Sequence, residues 1–180
     1  KGCRNLDLIL SGESWVKESF NHFGRLTDYS FVEGVMGLFD GIGSSSRGST
    51  AELAKTLRLP VVLIVDARGK AASLAALING FKEHDKDIKI AGVVLNNVQT
   101  PRHEKILLEV LDQINIKSLG CLPSCQDLYL PTRHLGLAPA HEILNLEIKV
   151  KKWASITKDY LDIESFKKLL LPPKSKYNQV

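Results

Sequence analysis

The sequence predicts a doubly wound α/β domain built on a parallel sheet, and three observations predict it. Short apolar runs at 29–32, 61–65, 88–95 and 117–122 have the length and composition of strands. Stretches of helical character lie between them, and alternating strand and helix calls for parallel strands joined by crossover helices. The first three runs end in polar or acidic residues, Glu33, Asp66 and Asn96. Open α/β sheets keep their ligands at the carboxyl ends of strands, so these residues mark one candidate edge.

Each element follows in order. Residues 13–23 read as a helix, with Trp15, Phe20 and Phe23 available for one face. The run 29–32 reads as a buried strand ending in Glu33. Glycines follow at 34, 37, 41 and 43, and a chain so rich in glycine turns rather than extends. Asp40 lies seven residues beyond Glu33, inside that loop. Two carboxylates around a flexible loop suit a hard cation such as Mg²⁺, which takes oxygen ligands at about 2.1 Å. The competing reading is a surface turn carrying two solvated acids. Ser49 or Thr50 can cap a helix over 51–57. After Pro60, the run 61–65 is apolar on both faces, as expected of a central parallel strand. It ends in Asp66-Ala67-Arg68-Gly69. A helix over 71–82 leads to the strand 88–95, which ends in Asn96-Asn97. Pro101 opens a helix to about 114, and the strand 117–122 ends at Pro123. Beyond about 139 the pattern is helical only, at 144–160 and 164–171. Pro172-Pro173 stops it, and 174–180 reads as a tail or linker.

Composition bounds the function. The chain has 180 residues, 44% hydrophobic and 24% charged, which is enough for one core. Its net charge of +4 gathers in late lysines, with no compact basic run interleaved with aromatics, so nucleic acid is not an expected partner. Cys121 and Cys125 lack a second ligand pair and make a poor zinc signal. His22, His84, His103 and His141 show no ligand spacing. Reduced thiols in a cytoplasmic protein are expected. No apolar run reaches the roughly 18 residues of a membrane span, and no signal peptide is visible. The only methionine is Met36 and the chain opens at Lys1, so it reads as a piece of something longer.

The string Glu33-Gly34-Val35-Met36-Gly37-Leu38-Phe39-Asp40-Gly41 closely resembles the signature of the cobyrinic acid a,c-diamide synthase family. Further strings agree in order: Arg4-Asn5-Leu6-Asp7, Gly48-Ser49-Thr50-Ala51-Glu52-Leu53-Ala54, Gly92-Val93-Val94-Leu95-Asn96, and Arg133-His134-Leu135-Gly136-Leu137. The resemblance implies an ATP- and glutamine-dependent ligase that amidates the a and c carboxylates of a corrinoid or related tetrapyrrole through an acyl phosphate. It implies a synthetase domain of the P-loop type, similar to dethiobiotin synthetase. Residues 1–140 would be part of that domain, 141–171 its helical extension, and 172–180 a linker toward a glutaminase domain of the same parent chain. No G-x-x-x-x-G-K-[ST] phosphate loop occurs here, so the domain is expected to be truncated at its N-terminus and inactive alone.

Residue by residue, the resemblance implies that Glu33 binds Mg²⁺ and, with Asp40, serves catalysis. Asn96 would read the adenine edge of ATP, because an amide both donates and accepts. Asp66 would share the cofactor side, and Arg133 and His134 would bind substrate carboxylates. Each has a plainer alternative as a turn former or solvated loop residue. A nucleotide-switch ATPase of the partitioning type and a non-catalytic binding domain stay open as other functions. The tetrapyrrole is not specified, and a homodimer is left open.

Overall fold

Three of the four expected strands form and one does not. The computed structural model describes residues 3–130, 132–133, 136–137 and 139–170. Strands β1 (Val61–Asp66), β2 (Ile90–Val98) and β3 (Ser118–Pro123) make one sheet in the order β1-β2-β3. β2 and β3 run parallel, with Leu95 opposite Cys121. Backbone bonds from Val61 N–H to the Lys89 carbonyl and from Ala67 N–H to the Asn96 carbonyl rise together, so β1 is parallel to β2 as well. The helices α3 (Ser73–His84) and α4 (Pro101–Gln113) are the crossovers that parallel neighbours require. Thr100 caps α4, its hydroxyl accepting the His103 N–H at 3.1 Å, with Pro101 in the first turn. The chain closes helically, with α5 (Leu146–Tyr160) and α6 (Ile163–Leu169).

Residues 29–33 adopt no regular structure, which corrects the first strand. Tyr29 and Phe31 are 56% and 76% exposed. Apolar composition gives a strand its preference but not its partner, and a strand exists only within a ladder. Glu33 therefore does not end a strand. Two smaller corrections follow from periodicity. Among the described strands β1 lies at the edge of the sheet and not at its centre: Leu63 and Val65 are buried, while Ile64 is 74% exposed. A run of five apolar residues reads the same in either place. In α1 (Glu13–Gly24) the buried residues are Val16 and Ser19, and Trp15 is half exposed, because Val16, Phe20 and Phe23 share one helical face and Trp15 lies a step around from it.

The described residues gather into two compact units. One comprises those of Lys1–Val61, His84–Ile90 and Phe166–Val180; the other comprises Val62–Glu83 and Ala91–Ser165. The second unit holds most of the sheet. Its core is Leu74 and Ile78 of α3, Leu95 of β2, Leu107 and Leu111 of α4, and Leu119 of β3, all fully buried. Burying a side chain of this size stabilises by about 1.5–3 kcal/mol. The outer edge of β3 is closed by the segment after α5: Asp162 N–H donates to the Leu119 carbonyl at 3.0 Å, and Gly120 bridges to Leu161. A Cβ at Gly120 would collide with the Tyr160 carbonyl, and its φ of 141° suits only glycine.

The first unit buries Val16, Leu38, Ala51, Ala54 and Ile88. Its helix α2 (Thr50–Leu57) ends in a Schellman turn, with Leu59 N–H on the Ala54 carbonyl at 2.9 Å and Arg58 N–H on the Lys55 carbonyl at 3.0 Å. Arg58 takes the left-handed position at φ 54° that glycine usually fills. The other non-glycine residues at positive φ are asparagines 97, 115 and 145, whose short polar side chains tolerate it. For an arginine the conformation costs about 1–2 kcal/mol.

Candidate functional site

The glycine-rich loop after Glu33 is built by contacts that need glycine. A Cβ on Gly34 would lie 2.7 Å from the Thr50 side chain, and one on Gly41 would lie 2.7 Å from the Ser45 carbonyl. The loop is seated on the start of α2. The buried Leu38 gives its carbonyl to the Ala51 N–H at 2.9 Å. Ser49 accepts the Glu52 N–H at 3.2 Å, and the Glu52 carboxylate reaches back to the Gly48 N–H, one residue before the cap, while the Ser49 N–H goes to the Ser46 carbonyl. Two of the donors that a helix start leaves unpaired, Ala51 N–H and Glu52 N–H, are thus used. Inside the loop, Ile42 N–H donates to the Arg47 carbonyl at 2.9 Å and Asp40 N–H to the Gly37 carbonyl at 3.0 Å.

Glu33 and Asp40 are both exposed. Neither carboxylate has a hydrogen-bond or ion-pair partner among the described residues. No group of three or more His, Cys, Asp or Glu among the described residues could hold a metal by itself. Mg²⁺ is ordinarily held by one or two carboxylates, with water and substrate phosphates completing its shell. Two unpaired acids on one anchored loop are a donor set that fits it.

The second cluster lies at the carboxyl edge of the sheet, in the second unit. Ala67 N–H bonds to the Asn96 carbonyl, so Asp66 and Asn96 end neighbouring strands side by side. Arg68 grips Asp66 through Nε at 2.9 Å and Nη2 at 2.6 Å, and its N–H adds a third bond at 3.1 Å. Asn97, turned into the left-handed region at φ 61°, donates Nδ2 to Asp66 at 3.1 Å. The hydrogen bonds from Arg68, then that from Asn97, hold the Asp66 carboxyl well below the usual range. Asp66 is therefore occupied by the protein. Asn96 accepts the Asn97 N–H on Oδ1 at 3.0 Å and keeps Nδ2 without a partner among the described residues.

Two residues here were not singled out by their pattern. Asn97 is one; its signal is the asparagine pair at a strand end, since asparagine tolerates positive φ. His103 is the other. Its Nδ1 accepts the Gln99 N–H at 3.3 Å, which leaves Nε2–H to donate to the Lys70 carbonyl at 2.8 Å. It ties the turn after β1 to the turn after β2, and no local spacing announces that.

Arg133 lies in β4 (Thr132–Arg133), paired antiparallel with Gly136 of β5 (Gly136–Leu137). Its side chain, and His134 altogether, lie outside the described residues. Cys121 is buried, and desolvation, with the nearby Glu104 charge, pushes its thiol up to about 11, as an inert core cysteine. No described helix is long and apolar enough to cross a membrane.

Comparison with known proteins adds three kinds of finding. A family model described as an AAA domain matches residues 17–132. A cobyrinate a,c-diamide synthase from Caldanaerobacter subterraneus subsp. tengcongensis is 45% identical over 170 residues, covering 94% of this chain and 38% of that protein. Another from Synechococcus sp. is 39% identical over 171 residues, with the same coverage of each. A hydrogenobyrinate a,c-diamide synthase from Streptomyces coelicolor is 46% identical over 140 residues, 77% of this chain and 29% of its own length. The chain thus spans less than two-fifths of these relatives. No solved structure matches it.

Proposed function

Because the chain belongs to the AAA domain family and to the cobyrinic acid a,c-diamide synthase family, we propose that it is the ATP-handling part of a ligase of cobalamin biosynthesis. The ligase would amidate the a and c carboxylates of cobyrinic acid or a related tetrapyrrole, in the cytoplasm, with glutamine as nitrogen donor. The observation that carries this is the similarity running through nearly the whole chain, including the loop that holds Glu33 and Asp40. The greater length of the relatives leaves room for a glutaminase domain as partner.

Bound ATP with Mg²⁺ would supply the phosphoryl group that activates a carboxylate for attack by ammonia. The chain's residues would position and neutralise. Glu33, without another partner among the described residues, would hold the cation, and Asp40 lies on the same anchored loop to share it or to face the substrate. Asn96 offers its free Nδ2 to a base edge. Asp66 supports the nucleotide side by fixing the turn at 66–70 through Arg68 rather than by direct contact. Arg133 and His134 would meet substrate carboxylates. Tetrapyrrole identity would be read outside these residues.

The test is Glu33→Gln in a full-length synthase carrying this sequence. Glutamine keeps the size but removes the charge that holds a hard cation. Phosphoryl transfer depends almost wholly on positioning and electrostatics. Amidation should fall on the order of a thousandfold, several kcal/mol in barrier, while glutamine hydrolysis persists. Near-normal amidation at saturating Mg²⁺ would reject the assignment.

A further inference from the structure

A cleft of about 530 Å³ lies wholly within the first unit and away in sequence from every residue assigned above. Its volume is in the range of small-ligand sites. Ala54, Leu59, Pro60, Ile88 and Leu169 give it an apolar floor. Arg58, Lys89 and Lys168 stand exposed around it, against one acid, Asp87. A fourth cation, Lys55, is already neutralised by Asp85 at 2.5 Å. Arg58, Lys89 and Lys168 have no ion-pair partner among the described residues. Surface cations without partners are common, so charge alone would say little.

The backbone supplies the second observation. Arg58 is held in a left-handed conformation where glycine would be easier, and it is the one such residue, among the described non-glycines, that is not asparagine. Strain of this kind persists only where the surrounding structure imposes it, here the turn that closes α2, and it clusters at sites that clamp ligands. We propose that this cleft binds a small organic anion with an apolar body, its carboxylate, phosphate or sulfonate held by Arg58, Lys89 and Lys168. The site is independent of the amidation reading.

The probe is anilinonaphthalene sulfonate, with uncharged N-phenylnaphthylamine as its control, titrated against the 180-residue chain by fluorescence and calorimetry. The sulfonate probe should bind once per chain and more tightly than its neutral counterpart. Arg58→Gly and Lys89→Gln should each weaken it about tenfold, the scale of one hydrogen bond to a charged group, and leave the neutral probe unchanged. Glycine suits the left-handed turn, so Arg58→Gly should keep or raise the melting temperature and separate loss of binding from loss of fold. Equal affinity for both probes, or sulfonate binding unchanged in both variants, would overturn the proposal. So would binding of hexaglutamate with rejection of the sulfonate probe, which would make the cleft a seat for an acidic protein segment.

Discussion

Asp66 receives hydrogen bonds from Arg68 and Asn97, and that arrangement can be read by titration. Its carboxyl is held below the ordinary range, so its contribution to stability is complete above that range and is lost as pH falls from there through the lowered value. Arg68→Gln should move the Asp66 midpoint upward in carboxyl-resolved NMR, toward an ordinary aspartate. An unmoved midpoint would mean that Asn97 and the backbone suffice. Cys121 gives a second test. Its buried, poorly ionised thiol should react with a disulfide reagent only on unfolding, whereas the exposed Cys3 and half-buried Cys125 react in the native chain. Rapid reaction of all three would contradict the burial of Cys121. At this scale the sequence announces which residues carry charge at strand ends, as with Asp66. It does not announce their partners. Arg68 wraps back, Asn97 crosses from the next strand, and His103 reaches Lys70 from 33 positions away, so each pairing depends on the completed fold.

The helix start at Ser49 shows how far local chemistry reaches. Serine at the cap and glutamate three residues on have the letters of a capping box; the serine bond forms as read, and the glutamate reaches the Gly48 N–H instead of the cap's own. Ser49→Ala should cost about 1 kcal/mol, and Ser49→Gly only a few tenths, measured by urea denaturation. Equal losses would point to packing of the buried Ser49 rather than to its cap. Strands 61–66, 90–98 and 118–123 were legible for a related reason: each is a short apolar run bounded by turn residues and separated by a helix. The run at 29–32 has the same letters. What it lacks is a neighbouring ladder, a property of the sheet and not of the run. The edge position of β1 was hidden for the same cause, since Ile64 is as apolar exposed as it would be buried.

At the scale of the whole chain, the C-terminal helices are part of the units and not appendages. The indole of Trp153 donates to the Asp127 carbonyl at 2.6 Å, Lys152 pairs with Asp127 at 2.7 Å, and Lys117 reaches Ser165 at 2.5 Å. A chain ended after residue 140 loses these and reopens the edge of β3. Its melting temperature should fall by at least about 5 °C in calorimetry; an unchanged value would make 141–170 dispensable. The division into units carries a further consequence, for synthesis. Beyond its described residues up to 61, the first unit includes 84–90 and 166–170, while the second ends at 165. A ribosome adding about 5–20 residues per second takes roughly 5–20 seconds to pass from residue 61 to residue 166. Through that interval α1 and α2 are already made, and the piece that closes their unit is not. α1 and α2 thus wait with the apolar faces of Val16, Ala51 and Ala54 uncovered until the later pieces of their unit arrive.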